Sequence, residues 1–145
     1  MKKVLLALTL AAVLAFAATA SAASPAAYKA QVNAICVAGI KQLNAIPKPS
    51  KPSGYYAYFK AAASASDKLL AKVSSVKPPA NLKVPVATAV ARQGAFETAL
   101  HGLVDKLKTS SNPKKTVLAA EPKLNSLNAK ANAAWRAAGL VKCAG

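Results

Sequence analysis

Residues 82–108 read LKVPVATAVARQGAFETALHGLVDKLK, and this stretch decides the fold class. Leu82, Val86, Ala89, Gln93, Phe96, Leu100, Leu103 and Leu107 recur in alternating steps of four and three. That spacing lines one face of an α-helix, whereas a strand would repeat every second residue. The stretch predicts a helix over about 84–108. Runs of alternating β-branched residues, the mark of strands, are absent from the chain.

The same reading extends outward in both directions. Upstream, Lys77-Pro78-Pro79 ends a preceding helix, because the residue before a proline is pushed out of the helical region. That helix is predicted over 54–77. Phe59, Ala62, Ser66, Leu69, Val73 and Val76 form its inner face, and Lys60, Ser64, Lys68 and Lys72 lie opposite. Downstream, Thr109-Ser110-Ser111 closes the helix, and Asn112-Pro113 opens another as cap and first residue. This last helix is predicted over 113–138, with Val117, Ala120, Leu124, Leu127, Ala131, Ala134 and Ala138 on its face. Pro122 falls inside it and predicts a kink, or a break after about residue 120. Gly139 stands where a helix-ending glycine belongs, with Leu140 placed to fold back.

Ser24-Pro25 opens a first helix, 25–46, whose face carries Tyr28, Val32, Cys36, Gly39, Leu43 and Ile46. Pro47 stops it, and the proline-rich loop 47–54 follows. Gly39 and Gly94, inside helices, read as points of close approach. Four amphipathic helices joined by short loops predict an all-α, up-down-up-down four-helix bundle.

Ahead of the bundle stands a segment of another kind. Lys2 and Lys3 precede an apolar run from Val4 to Ala18, followed by Thr19-Ala20-Ser21-Ala22. This is the pattern of a secretory signal peptide cleaved after Ala22. The alternative is an uncleaved N-terminal membrane anchor, for which the run is short. Residues 23–145 then form a single domain, secreted or held at the extracytoplasmic face of the envelope.

The chain of 145 residues carries 20 Lys and Arg against four acids, Asp67, Glu97, Asp105 and Glu121, for a formal charge of +16. Loss of Lys2 and Lys3 would leave +14. Charge of this kind in a cytoplasmic protein points to nucleic acid. Export disfavours that partner and points instead to anionic cell-wall polymers or acidic lipid surfaces. The lysines are dispersed, with no run of five, so the attraction expected is diffuse. Of the 145 residues, 36 are alanine, so the core has to be built from thin side chains.

The only cysteines, Cys36 and Cys143, read as a disulfide in an exported chain. In an antiparallel bundle the end of the fourth helix lies beside the start of the first, which makes the pairing plausible. Trp135 is expected near this bridge.

Few residues suggest catalysis. His101 is the single histidine, four residues from both Glu97 and Asp105. Glu97, His101 and Asp105 are weak metal candidates, because three ligands on one exposed helical stripe enclose nothing. The expectation is a solvated face, with no metal or cofactor. No Gly-x-Ser-x-Gly, Cys-x-x-Cys or phosphate-binding glycine loop occurs.

The sharper feature is Tyr55-Tyr56-Ala57-Tyr58-Phe59, with Lys48, Lys51 and Lys60 around it. Helical neighbours turn by about 100°, so these rings cannot all face one core. Phe59 belongs to the inner face, Tyr55 and Tyr58 flank it, and Tyr56 is expected to be the more exposed. Rings interleaved with lysines suit a glycan, an acidic lipid surface or a flat apolar ligand.

Asn33-Ala34-Ile35-Cys36, Lys77-Pro78-Pro79-Ala80-Asn81-Leu82 and Ala134-Trp135-Arg136-Ala137-Ala138-Gly139-Leu140-Val141-Lys142-Cys143 carry a resemblance. The chain resembles small exported all-helical proteins of high-GC Gram-positive bacteria, with an early Cys, a Pro-Pro hinge and a closing Gly-Leu-x-x-Cys. The resemblance implies the helical fold and the bridge. No agreed activity attaches to those proteins, so no site residues carry over.

Three functions follow, in order. The first is a non-enzymatic envelope protein bound to an anionic surface or polymer. The second is a small-molecule carrier with an interhelical apolar pocket near the tyrosines. The third is an enzyme using His101.

Overall fold

The computed structural model describes residues 24–145, and the segment read as a signal peptide lies outside the described residues. Every regular element among the described residues is helical. The first helix, α1 (Pro25–Asn44), begins where Ser24 Oγ accepts a hydrogen bond from the Ala27 N–H at 3.2 Å. Pro25 at its first position has no N–H to satisfy. The helix stops at Asn44, two residues short of the sequence estimate, because Pro47 disfavours helical backbone at Ile46.

A single 3₁₀ turn, Pro52–Gly54, leads into α2 (Tyr55–Ser75). Val76 is already extended ahead of Lys77-Pro78-Pro79. A second 3₁₀ turn, Ala80–Leu82, leads into α3 (Lys83–Lys108). Asn112 caps α4 (Pro113–Ala137), its side chain accepting from the Lys115 N–H at 3.1 Å.

Pro122 lies inside α4 without splitting it, so the separate 113–120 helix does not form. The hydrogen bond that Pro122 removes is the one to the carbonyl of Leu118. Leu118 and Pro122 are both exposed, so water can satisfy that carbonyl.

The helices α2, α3 and α4 pack in chain order, each reversing the last. Val73 joins a buried cluster with Val86 and Ala89 of α3, while the earlier Ala63 joins Leu100 and Val104 further along. Gln93 bonds Trp135, while Leu124 packs with Leu100. The core therefore has two apolar clusters. The larger holds Tyr28, Val32, Cys36, Val73, Val86, Trp135 and Leu140. The smaller holds Ala63, Leu100 and Val104, with Phe59, Tyr56, Phe96 and Leu124 against it.

Helix α1 packs on α2 and on the C-terminal turn Val141–Cys143, which also packs on α4. That turn arises from the way α4 ends. Gly139 takes φ +72°, the Gly139 N–H donates to the Arg136 carbonyl, and the Leu140 N–H donates to the Trp135 carbonyl, both at 2.9 Å. This pair of bonds is the Schellman motif, which reverses the chain. Leu140 is fully buried as a result.

Cys143 then meets Cys36 in a disulfide, with Cα atoms 5.0 Å apart. The Lys142 N–H donates to Asn33 Oδ1 at 3.1 Å, a second tie to α1. Trp135 lies in the same apolar cluster as Cys36 and Cys143. Gly39 is a close approach: a Cβ there would collide with a Leu69 methyl. Gly94 is not, since a Cβ there would meet nothing within 4 Å.

Tyr28 is wholly buried in the larger cluster, and its hydroxyl has no hydrogen-bond partner among the described residues. Burial raises its pKa above the ordinary 10.0. The neutral phenol's contribution is therefore whole below about pH 10 and lost as pH rises through the folded value.

Two outcomes are expected. Tyr28→Phe removes an unsatisfied hydroxyl, which raises stability by about 1 kcal/mol and flattens the fall in melting temperature above pH 10. Equal alkaline profiles for parent and variant would contradict this. Replacing Cys36 and Cys143 together by Ser opens a link between residues 107 positions apart. The unfolding free energy should drop by up to about 4–5 kcal/mol, read from urea midpoints.

Candidate functional site

Side chains singled out separately in the sequence come together in a recess between α2 and α3. Tyr56 and Lys60, one turn apart on α2, enter from one side. His101, Asp105 and Lys108 enter from α3 at successive turns. The reversed packing of the two helices places them opposite one another. The recess has a volume of about 300 Å³, and seven of its nine lining residues are polar or charged.

Within it, His101 Nε2 lies 3.1 and 2.9 Å from the two carboxylate oxygens of Asp67. Both side chains are about half exposed, at 50% and 46%. Lys60 Nζ stands 5.8 Å from the centre of the Tyr56 ring, within cation–π range.

The acidic partner of His101 is thus Asp67 from α2, not the Glu97 or Asp105 that share its own helix. Glu97 leaves the stripe altogether. It is only 5% exposed and accepts on Oε1 from Ser66 Oγ at 2.5 Å and from Gln93 Nε2 at 2.7 Å. Gln93 Oε1 in turn accepts from the Trp135 Nε1–H at 3.3 Å. A string Ser66–Glu97–Gln93–Trp135 therefore crosses α2, α3 and α4. On α2 and α3 it falls between the two apolar clusters, and it ends at Trp135 in the larger one. The second oxygen of Glu97 has no partner. Glu97, His101 and Asp105 form no common cluster, and no group of three or more metal-ligating side chains occurs among the described residues.

The aromatic run divides differently from its sequence reading. Phe59 stacks edge-on with Tyr58 at 5.2 Å and with Tyr55 at 6.4 Å. Tyr56, expected to be the exposed member, is half-buried, packing against Ala63, Leu100 and Val104 while lining the recess. Tyr56 stands seven residues before Ala63, two full turns on the same face, and that spacing was the available signal. Lys48 and Lys51 sit exposed on the loop before α2 and do not line the recess.

Chemically, the recess offers two ammonium groups, two carboxylates and a phenol. The free ring nitrogen of His101 is Nδ1, since Nε2 faces Asp67. No serine hydroxyl is hydrogen-bonded to that ring among the described residues. A larger, more apolar groove of about 580 Å³ lies elsewhere, between α3 and α4. Among the described residues no helix is long and apolar enough to cross a membrane.

No family model, no curated protein and no solved structure matches this chain.

The polar string makes a prediction of its own. Glu97→Ala leaves the Ser66 and Gln93 donors unmet beside a new cavity, and should cost about 2–3 kcal/mol. Glu97→Gln keeps an acceptor for both donors while removing a buried acidic group that has no cationic partner, and should be at least as stable as the parent. Thermal melts of both variants check this. A Gln variant as unstable as the Ala variant would overturn it.

Proposed function

We propose that this chain is an exported, non-enzymatic protein of the cell envelope that attaches to an anionic polymer or acidic lipid surface through dispersed positive charge. Residues 1–22 act as a cleaved signal peptide. The remainder works as an up-down-up-down four-helix bundle outside the cytoplasm, where the Cys36–Cys143 disulfide is at home.

One observation carries the reading. Among the described residues no Lys or Arg nitrogen lies within 4.0 Å of a carboxylate, and the single ion pair is His101–Asp67. Of the four acids, Glu97 is buried and engaged by neutral donors. Asp67, Asp105 and Glu121 alone face solvent against the whole set of ammonium and guanidinium groups. Charges that do not neutralise one another inside the protein remain free for an external polyanion. Because they are exposed, that attraction is screened over roughly 8 Å at physiological salt.

The carrier reading draws support from the α3–α4 groove more than from the tyrosine end, whose recess is smaller and bordered by Lys60, Asp67, Asp105 and Lys108. The enzyme reading has less behind it, because Nε2 of His101 is turned to Asp67 in an open recess.

Sedimentation with purified cell walls, and separately with vesicles of anionic or neutral lipid, tests the proposal. Retention by walls or anionic vesicles is expected at low salt, with release by about 0.5 M NaCl and none on neutral vesicles. A protein that stays in the supernatant in every low-salt arm would overturn it.

A further inference from the structure

The groove between α3 and α4 has a chemical polarity along its length. At one end its lining is mostly small and aliphatic, with Ala95 and Ala99 of α3 facing Leu124 and Leu127 of α4 and the exposed Thr98 and Lys123 also bordering it. From Ala95 to Lys106 it spans about 16 Å at 1.5 Å per residue. At Lys106, Ala119 and Ala120 it opens into a second hollow of about 420 Å³. There the lining changes to Ser110, Asn112, Thr116 and the ammonium groups of Lys106 and Lys115. Among the described residues neither lysine has a carboxylate within 4.0 Å.

A second observation falls in the same groove. Gly102 lines it from the middle of α3, and a Cβ there would meet no atom within 4 Å. A helix-interior glycine weakens the helix relative to alanine. At Gly39 the packing of Leu69 accounts for the glycine, but at Gly102, as at Gly94 on the same helix, no neighbour among the described residues does.

We propose that this groove binds a long-chain carboxylate, with its single acyl chain along the Ala95–Leu127 end and its head group at Lys106 and Lys115. The apolar volume of about 580 Å³ falls in the range of small-molecule sites. An apolar trough leading to two unpaired cations is complementary to one apolar tail ending in one anion. The open side of Gly102 keeps the floor clear for the chain. The site is independent of the surface attachment proposed above.

Titration of the mature protein with octanoate, decanoate and laurate, below their aggregation concentrations, tests this by calorimetry and amide chemical shifts. Affinity should rise by up to about fourfold per added methylene, with shifts centred on Gly102 and Ala120. Gly102→Leu should weaken laurate at least tenfold while leaving the melting temperature unchanged or higher. Ala120→Leu on the facing helix repeats the test if that variant does not fold. Lys106→Glu with Lys115→Glu should weaken laurate about tenfold and leave dodecanol binding unchanged.

Three results would overturn the proposal. They are no dependence on chain length, laurate affinity indifferent to the groove-filling variants, or a laurate-free dimer that Gly102→Leu dissolves. Cell-wall retention at low salt should be the same in parent and Gly102→Leu, so failure here is distinguishable from failure of surface attachment.

Discussion

The structure depends on what covers the inner face of α1. Tyr28, Val32 and Cys36 are buried, yet the principal neighbours of α1 are α2 and the last few residues of the chain. Those residues reach α1 only because Gly139 turns the chain back on itself at the end of α4. The disulfide and the Lys142–Asn33 hydrogen bond then hold the turn in place. A short peptide of this kind would fray if left to packing alone. The covalent link keeps the segment carrying Leu140 and Ala144 in one cluster with Tyr28, Val32 and Trp135. The bridge thus acts on packing in the folded state as well as on the entropy of the unfolded chain.

An alanine-rich core explains why such a clasp matters and also why the interior holds polar groups. Ala side chains bring helices close but bury little area each, so hydrophobic stabilisation per residue is small. Ser66, Glu97 and Gln93, between the two apolar clusters, join Trp135 of the larger one in one hydrogen-bonded line across α2, α3 and α4. Such a line fixes the register of three helices, since sliding any one by a turn leaves donors unmet in the interior. Small apolar side chains alone would permit that slide with little penalty.

The helical seams were legible because apolar residues recur at steps of three and four through Pro- and Gly-marked boundaries. Caps and stops were legible for the same local reason, as at Ser24, Asn112 and Gly139. The ends of α1 and α2 moved by one or two residues, since proline acts on the residues before it. The pairing of side chains across helices was harder to read. Glu97, His101 and Asp105 look like one stripe because each is four residues from the next. Four residues overshoot a full turn by about 40°, so the stripe winds from the core at Glu97 to solvent at Asp105. Asp67 was visible only as one acid among four, because its place beside His101 depends on how α2 and α3 reverse about Pro78-Pro79. Gly102 carried no signal at all, since its meaning lies in the empty space beside it.

Charge and fold are coupled in this protein. Exposed cations that lack acidic neighbours repel one another, which works against the compact state. The clasp at Cys36–Cys143 offsets part of that repulsion by limiting how far the unfolded chain can expand. A polyanion in contact with the folded surface would offset more, because a partner that binds only the native state stabilises it. A chain selected for stability alone would gain from a few acids placed four residues from its lysines, the simplest helical ion pair. Of its exposed acids, Asp67, Asp105 and Glu121, none stands four residues from a lysine. So one-sided a surface, set against its effect on folding, is what the proposed contact with an external polyanion would account for.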